Sequence, residues 1–242
     1  RTHPLTSERI ADMENRIQSM PYRQVIDSLD YLLVRAKLKA SDGTPRDAVA
    51  DFASQLGEHK YTSEIATHYG YAVALLRDGK YPAAKKEITT LRRLKADSPM
   101  FETLAADLRN KQNDAIGALK ILRAGLARYP QQRALSYALM DTLLLNQQAQ
   151  DALAYSQDYL LTFPGDARMH EHQARAYAAL GKRLQQHRAQ AEAYALQGQL
   201  LVAIEQLQLA QKSGDGDYFE QSQVDARLRE LKKRHTEEMK GN

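Results

Sequence analysis

The sequence predicts an all-α solenoid of antiparallel helix pairs, finished at its C-terminal end by a closing helix. Three periodic tracks carry that prediction. Small residues at the centre of successive first helices fall at Ala36, Ala72, Ala106 and Ala174, with Met140 in the fourth place, in steps of 36, 34, 34 and 34. Second helices repeat the pattern at Ala48, Ala84, Ala118 and Ala152, in steps of 36, 34 and 34. The turn between the two helices keeps the same time at Gly43, Gly79, Asn113, Gln147 and Gly181. Helices pack closely where small residues let their backbones approach, and stacked pairs bury each other's apolar stripes. No stretch shows the two-residue alternation of a strand.

Taken in order, the elements read as follows. Thr6 or Ser7 caps a short helix over 8–19 that Met20-Pro21 ends. It is out of register with the repeats, so residues 1–20 are read as the end of a preceding domain and a linker helix. Residues 21–212 form the repeat array. Within it, Gly79-Lys80-Tyr81-Pro82-Ala83-Ala84 resembles the turn-then-alanine signature of tetratricopeptide repeats, although the Trp that often opens that motif is missing throughout. Pro130 and Pro164 close successive repeats one period apart, whereas Pro99 falls three positions late. After Gly181 the period changes, because position 186 is Gln, and Gly198 and Ala203 resume the pattern begun by Gln147 and Ala152 only after one and a half periods. A helix over 184–197 therefore serves two pairs, and one over 200–211 completes the last. Residues 213–242 comprise a linker, Ser213-Gly214-Asp215-Gly216-Asp217, and a closing helix over 218–239 that Asp217 caps. Its packed side is expected to carry Tyr218, Phe219, Val224, Leu228 and Leu231.

Composition excludes several kinds of chemistry. The 242 residues hold 34 Lys and Arg against 30 Asp and Glu, a net charge of +4 that permits an anionic partner without demanding one. There is no Cys, hence no disulfide framework, thiol nucleophile or Cys-based zinc site. The longest apolar run is far below the ~20 residues of a membrane span, so no transmembrane segment is expected. A zinc peptidase of the HExxH kind needs two imidazoles one helical turn apart, and the sequence has no such motif. In His170-Glu171-His172 the two rings stand at i and i+2, on nearly opposite sides of a helix, and are read as helix-surface histidines rather than metal ligands. Asp215-Gly216-Asp217 begins like a calcium loop but lacks the other ligands and the closing Glu. Lys80, Lys85, Lys86, Arg92, Arg93 and Lys95 belong to a second helix, on the convex side, and are read as solvated surface; no nucleic-acid partner is expected. No catalytic residue and no cofactor of its own are assigned to this chain.

The concave face remains, lined by the first helices. Tyr69, Val73 and Arg77 in the second repeat, Asp107 and Lys111 in the third, Tyr137 and Asp141 in the fourth, and Arg168 and Arg175 in the fifth are the candidate partner-binding residues. This mixture of aromatic, aliphatic and charged groups suits an extended peptide or an exposed segment of a partly folded client. The core comes from repeat packing, so a monomer is expected.

The opening Arg1-Thr2-His3-Pro4-Leu5-Thr6-Ser7-Glu8-Arg9-Ile10 resembles the stretch that closes the catalytic domain of membrane-associated HExxH zinc peptidases, where a His-Pro is followed by an Arg-Ile pair. The remaining chain, with its degenerate repeats and closing helix, is similar to the C-terminal half of the beta-barrel assembly-enhancing proteases of Gram-negative bacteria. That resemblance implies a periplasmic protein that promotes assembly of outer-membrane β-barrels, including the lipopolysaccharide-export barrel, and degrades stalled ones. The partners it implies are barrel clients, the barrel-assembly complex and the protein's own N-terminal peptidase domain. Zinc would reside in the full-length protein, and the present chain alone would have no peptidase activity. His3 keeps two readings: an exposed loop histidine, or, with the peptidase domain present, an imidazole that fills the open zinc position and holds the protease latent. A second class of function also stays open, a stand-alone repeat scaffold that bridges soluble proteins with no protease.

Overall fold

The computed structural model describes residues 6–18, 26–94 and 97–241, which form thirteen helices and no strand. Helix α1 (Thr6–Gln18) precedes five helix pairs: α2 (Leu29–Ser41) with α3 (Pro45–Gly57), α4 (Glu64–Arg77) with α5 (Tyr81–Arg93), α6 (Pro99–Lys111) with α7 (Ala115–Arg128), α8 (Arg133–Leu145) with α9 (Ala149–Thr162), and α10 (Ala167–Ala179) with α11 (Arg183–Leu196). Helices α12 (Leu200–Lys212) and α13 (Tyr218–Gly241) complete the array. Among the described residues, no helix is long and apolar enough to cross a membrane.

The chain punctuates these helices with local chemistry. Ser28, Ser63, Ser98 and Asp166 cap first helices, each side chain accepting from a backbone N–H two or three residues on. At the other end, Gly43, Gly79, Asn113, Gln147, Gly181 and Gly198 all take left-handed backbone, with φ between 57° and 78°. At five of the six the next N–H reaches back to a carbonyl in the last helical turn, for example Lys80 to Leu75 and Gln148 to Leu143, both at 2.9 Å. The turn track read from the sequence is thus a track of helix-ending left-handed residues. Pro99 is late because it opens a helix, standing in the first turn of α6 behind the Ser98 cap.

Packing follows the two small-residue tracks. Ala72, Ala106 and Met140 on first helices, and Ala84, Ala118 and Ala152 on second helices, are fully buried. Gly70 on α4 makes one still closer approach: a Cβ there would meet the Phe52 ring of α3 at 2.4 Å, and that ring is itself buried. First helices stack side by side from α2 through α4, α6 and α8 to α10. At α11 the order shifts. This helix packs against α10 on one side and α12 on the other, with Ala189, Ala191, Ala193 and Ala195 all buried. These four alanines spread around the helix rather than along one stripe, so α11 belongs to two pairs and α13 takes the next first-helix place. The linker that follows α12 is tied down by both of its aspartates. Asp215 accepts from the backbone N–H groups of Arg183 and Leu184, capping α11 from a distance, and Asp217 caps α13 in a reciprocal pair with Glu220.

One expectation for α13 is corrected. Val224, Leu228 and Leu231 are buried against α12, but Tyr218 and Phe219 are 89% and 68% exposed. They stand off the stripe formed by Val224, Leu228 and Leu231 on the helix, although their own turn is packed, with Glu220 accepting from Gln185 of α11.

Gln147 occupies a left-handed position that glycine fills in four of the other five turns, Asn113 being the exception. A side chain with a Cβ is strained there by about 1–2 kcal/mol. Gln147→Gly is therefore expected to raise stability by roughly 0.5–1 kcal/mol once glycine's extra chain entropy is counted, measured by urea unfolding. A loss of stability would contradict the assignment.

Candidate protein-interaction groove

The concave face is built from the ends of α4, α6 and α8 and from the inner side of α10. Between the first three lies an open groove of about 630 Å³, with Leu76, Tyr81 and Leu145 on its apolar side and Arg77, Asp107, Lys111 and Asp141 on its polar side. Arg77 is held in place by its guanidinium, which donates to Ala40 O and, at 3.4 Å, to Gly43 O, the carbonyls that end α2 and its turn. Lys111 carries no ion pair among the described residues. Asp107 reaches solvent but is walled in by the groove. Desolvation pushes its carboxyl above the ordinary range and Asp141 adds to that push, while Lys37 and Lys111 oppose it. An acceptor with no hydrogen-bond partner among the described residues thus sits in the field of two cations, ready for a donor.

Towards α10 the face becomes denser. Arg175 bridges to Asp141 at 2.7 Å and also reaches His172 Nδ1 at 3.3 Å. His172 is buried, and burial holds its imidazole below the usual value. Its ring stacks on Tyr137 with centroids 5.6 Å apart, and the Arg168 guanidinium lies 4.6 Å from the centre of the same tyrosine ring. The Tyr137 hydroxyl donates to the Asp166 carboxylate, 2.7 and 2.9 Å from its two oxygens, and its own pKa is pushed up to about 12, chiefly by burial. Asp166 also accepts from Tyr159 OH at 2.9 Å and from the Met169 N–H at 3.1 Å. One buried carboxylate therefore ties α8, α9 and the start of α10 together.

Seven of the nine candidate residues lie on this face: Arg77, Asp107, Lys111, Tyr137, Asp141, Arg168 and Arg175. Tyr69 and Val73 do not. They are 1% and 8% exposed, because α4 is wedged between α2 and α6 and its inward slots become core; the Tyr69 ring lies against Phe101, 5.8 Å between centroids. The same slot in the fourth repeat, Tyr137, stays half-buried. Sequence reasoning missed Asp166 and the Asn110–Thr142 bond, 2.8 Å long, that joins α6 to α8, and the helix-surface reading of His172 is corrected, since that ring is buried against Tyr137. Only Asp166 left a signal, as an N-cap after Pro164-Gly165. His3 lies outside the described residues.

Zinc has no fitting site in the described part of this chain. No group of three or more His, Asp or Glu side chains converges there with metal-holding geometry. His170 contacts Pro164 O at 3.0 Å, and His172 faces Asp141 and Arg175, so the two imidazoles diverge.

The Asp166 node yields a prediction. Burial alone would raise its carboxyl, but Tyr137 OH, the Met169 N–H, Tyr159 OH and Arg133 together leave it below the usual range. A carboxyl lowered on folding gives stability that is present above the ordinary Asp value of ~3.9 and lost as pH falls through the lower folded value. Asp166→Asn is expected to cost about 1–3 kcal/mol at neutral pH, since a buried donor loses its partner. Thermal melts taken from neutral pH into strong acid should also show a shallower acid decline in the variant; parallel curves would contradict the assignment.

Comparison with known proteins fits this architecture. No protein-family model matches the chain. In sequence it is 30% identical over 235 residues to the beta-barrel assembly-enhancing protease of Escherichia coli K12, covering 96% of this chain and 47% of that protein. It is 27% identical over 233 residues to the protein of the same name from Yersinia pestis, covering 96% of this chain and 48% of the relative. The chain thus spans about half the length of the curated relatives it matches. In structure, a tetratricopeptide repeat protein from Parabacteroides merdae superposes with a TM-score of 0.51 at 13% identity, over 93% of this chain and 90% of that one, and shares the fold. The repeat register, the helix-pair stack and these similarities together identify a tetratricopeptide-repeat solenoid that is similar to the C-terminal repeat part of the beta-barrel assembly-enhancing proteases.

Proposed function

We propose that this chain is the protein-interaction module of a periplasmic zinc protease and chaperone that promotes outer-membrane β-barrel assembly, including that of the lipopolysaccharide-export barrel, and removes stalled barrels. Its concave face holds an extended segment of a client or of the barrel-assembly machinery. The observation that carries this reading is the groove between α4, α6 and α8. It sets the Asp107 carboxylate and the Lys111 ammonium in one cleft with the apolar surface of Leu76, Tyr81 and Leu145.

An extended backbone presents N–H and C=O groups alternately along its edges, and its side chains alternate between faces. Such a segment can donate to Asp107, accept from Lys111 and lay one row of side chains on the leucines. Further along, Tyr137, Arg168 and Arg175 supply the aromatic and guanidinium groups that carry much of the binding energy at interfaces. The names of the sequence relatives support the assignment to β-barrel assembly. Proteolysis itself would come from a part of the longer protein that holds zinc, with these repeats delivering the substrate.

Photo-crosslinking residues placed at Lys111 and Arg168 in the full-length protein, and at Lys86 on the convex side as control, test the reading in cells. Capture of a barrel-assembly component or a β-barrel precursor from the two concave positions is expected. Capture from Lys86 alone would overturn it.

A further inference from the structure

The two ends of the array are finished differently. At the C-terminal end α13 buries Val224, Leu228 and Leu231 and turns charged residues outward, as a terminal cap should. At the N-terminal end α2 turns Leu33, Ala36 and Ala40 into the core but leaves Tyr31, Val34 and Leu38 on its outer side. Helix α1 has the matching defect. Every described side chain from Ser7 to Ile17 is exposed, and Ile10, Met13 and Ile17 form one apolar stripe on an otherwise polar helix. All six of these side chains are between 46% and 67% exposed. Both stripes have the spacing i, i+3, i+7, so each covers two turns of one helix face. A helix of 13 residues is marginal in water without a packing partner.

We propose that α1 folds back in antiparallel fashion onto the outer face of α2 and caps the N-terminal end of the array, stripe against stripe. Charge pattern selects this partner and this direction. In an antiparallel pair the residues that flank the two seams face each other. That sets Glu14 opposite Arg35 and Arg16 opposite Asp30, two complementary pairs, with Arg9 opposite Lys37 as a like-charged pair against them. A parallel arrangement would also set like ends of the two macrodipoles side by side. The ten residues between Gln18 and Leu29 can span ~30 Å, ample for helices whose axes lie ~10 Å apart. Docked in this way, the start of α1 lies beside the C-terminal end of α2, where Ala40 O anchors Arg77 at the rim of the groove. The cap therefore fixes where the start of α1 stands relative to the groove.

The chain has no cysteine, which makes the test direct. Met13→Cys combined with Val34→Cys, in the whole chain, is expected to form an intramolecular disulfide in most molecules under mild oxidation, giving a monomer by mass. Met13→Cys combined with Leu209→Cys, whose second site is exposed on α12, serves as the control and should form none within one chain. Glu14→Arg is expected to slow formation of the bond between positions 13 and 34 severalfold, and adding Arg35→Glu should restore the rate. The result that would overturn the proposal is absence of the bond, a bond formed only between chains, which would make the stripe a contact between copies, or a rate indifferent to both charge changes.

Discussion

Everything in this molecule depends on how closely neighbouring helices can approach at one point per helix. Where Ala84, Ala118 and Ala152 stand, the side chain ends at Cβ, and the backbone of the facing helix comes within range of many weak dispersion contacts. Close approach at one level fixes the crossing, and the same crossing repeated once per period fixes the curvature that gives the array a concave side. The left-handed turns serve the same end. They stop each first helix of the pairs at 13 or 14 residues, so the packing positions of successive pairs recur in step.

The concave face inherits its chemistry from that stack. Residues at one equivalent slot of successive first helices, Lys37, Asp107, Asp141 and Arg175, form a row across the array, interrupted in the second repeat where the slot holds the buried Val73. The row is electrostatically uneven: cations stand at both ends and two carboxylates adjoin in the middle. Arg175 satisfies Asp141, whereas Asp107 is left in a desolvating groove with cations that act on it only through space. The unevenness is a reason to expect a ligand there, since a fully paired row would have nothing to offer one. Beside the row, the Asp166 node stiffens the fourth and fifth repeats, so Tyr137 and Arg168 are presented on a supported surface.

Some of this is legible in the sequence and the rest is hidden for physical reasons. Ala118 and Gly181 can be read because their roles are local: a small side chain at a crossing and a left-handed residue at a helix end are each set by one residue's own geometry. The shared helix α11 is legible through the shortened step from Gly181 to Gly198. Tyr69 reads as surface by its slot, yet its burial depends on Phe101 in the next repeat and on how tightly α4 is wedged between its neighbours. The Asp166 node is invisible for the same reason, since its tyrosine donors stand in two earlier helices with no motif linking them. Tyr218 and Phe219 look like core by composition, yet they lie off the stripe that α13 turns into the core.

Urea unfolding of Ala118→Leu, compared with Ile116→Ala two positions earlier on the same helix, tests the central claim most directly. Ala118 is fully buried and Ile116 is 83% exposed. Overpacking at the crossing should cost the first variant about 1–3 kcal/mol, while deletion of the larger, exposed side chain leaves stability within about 0.5 kcal/mol of the parent. Parent-like stability in Ala118→Leu, or a larger loss in Ile116→Ala, would mean that close approach at these alanines is not what holds the array together.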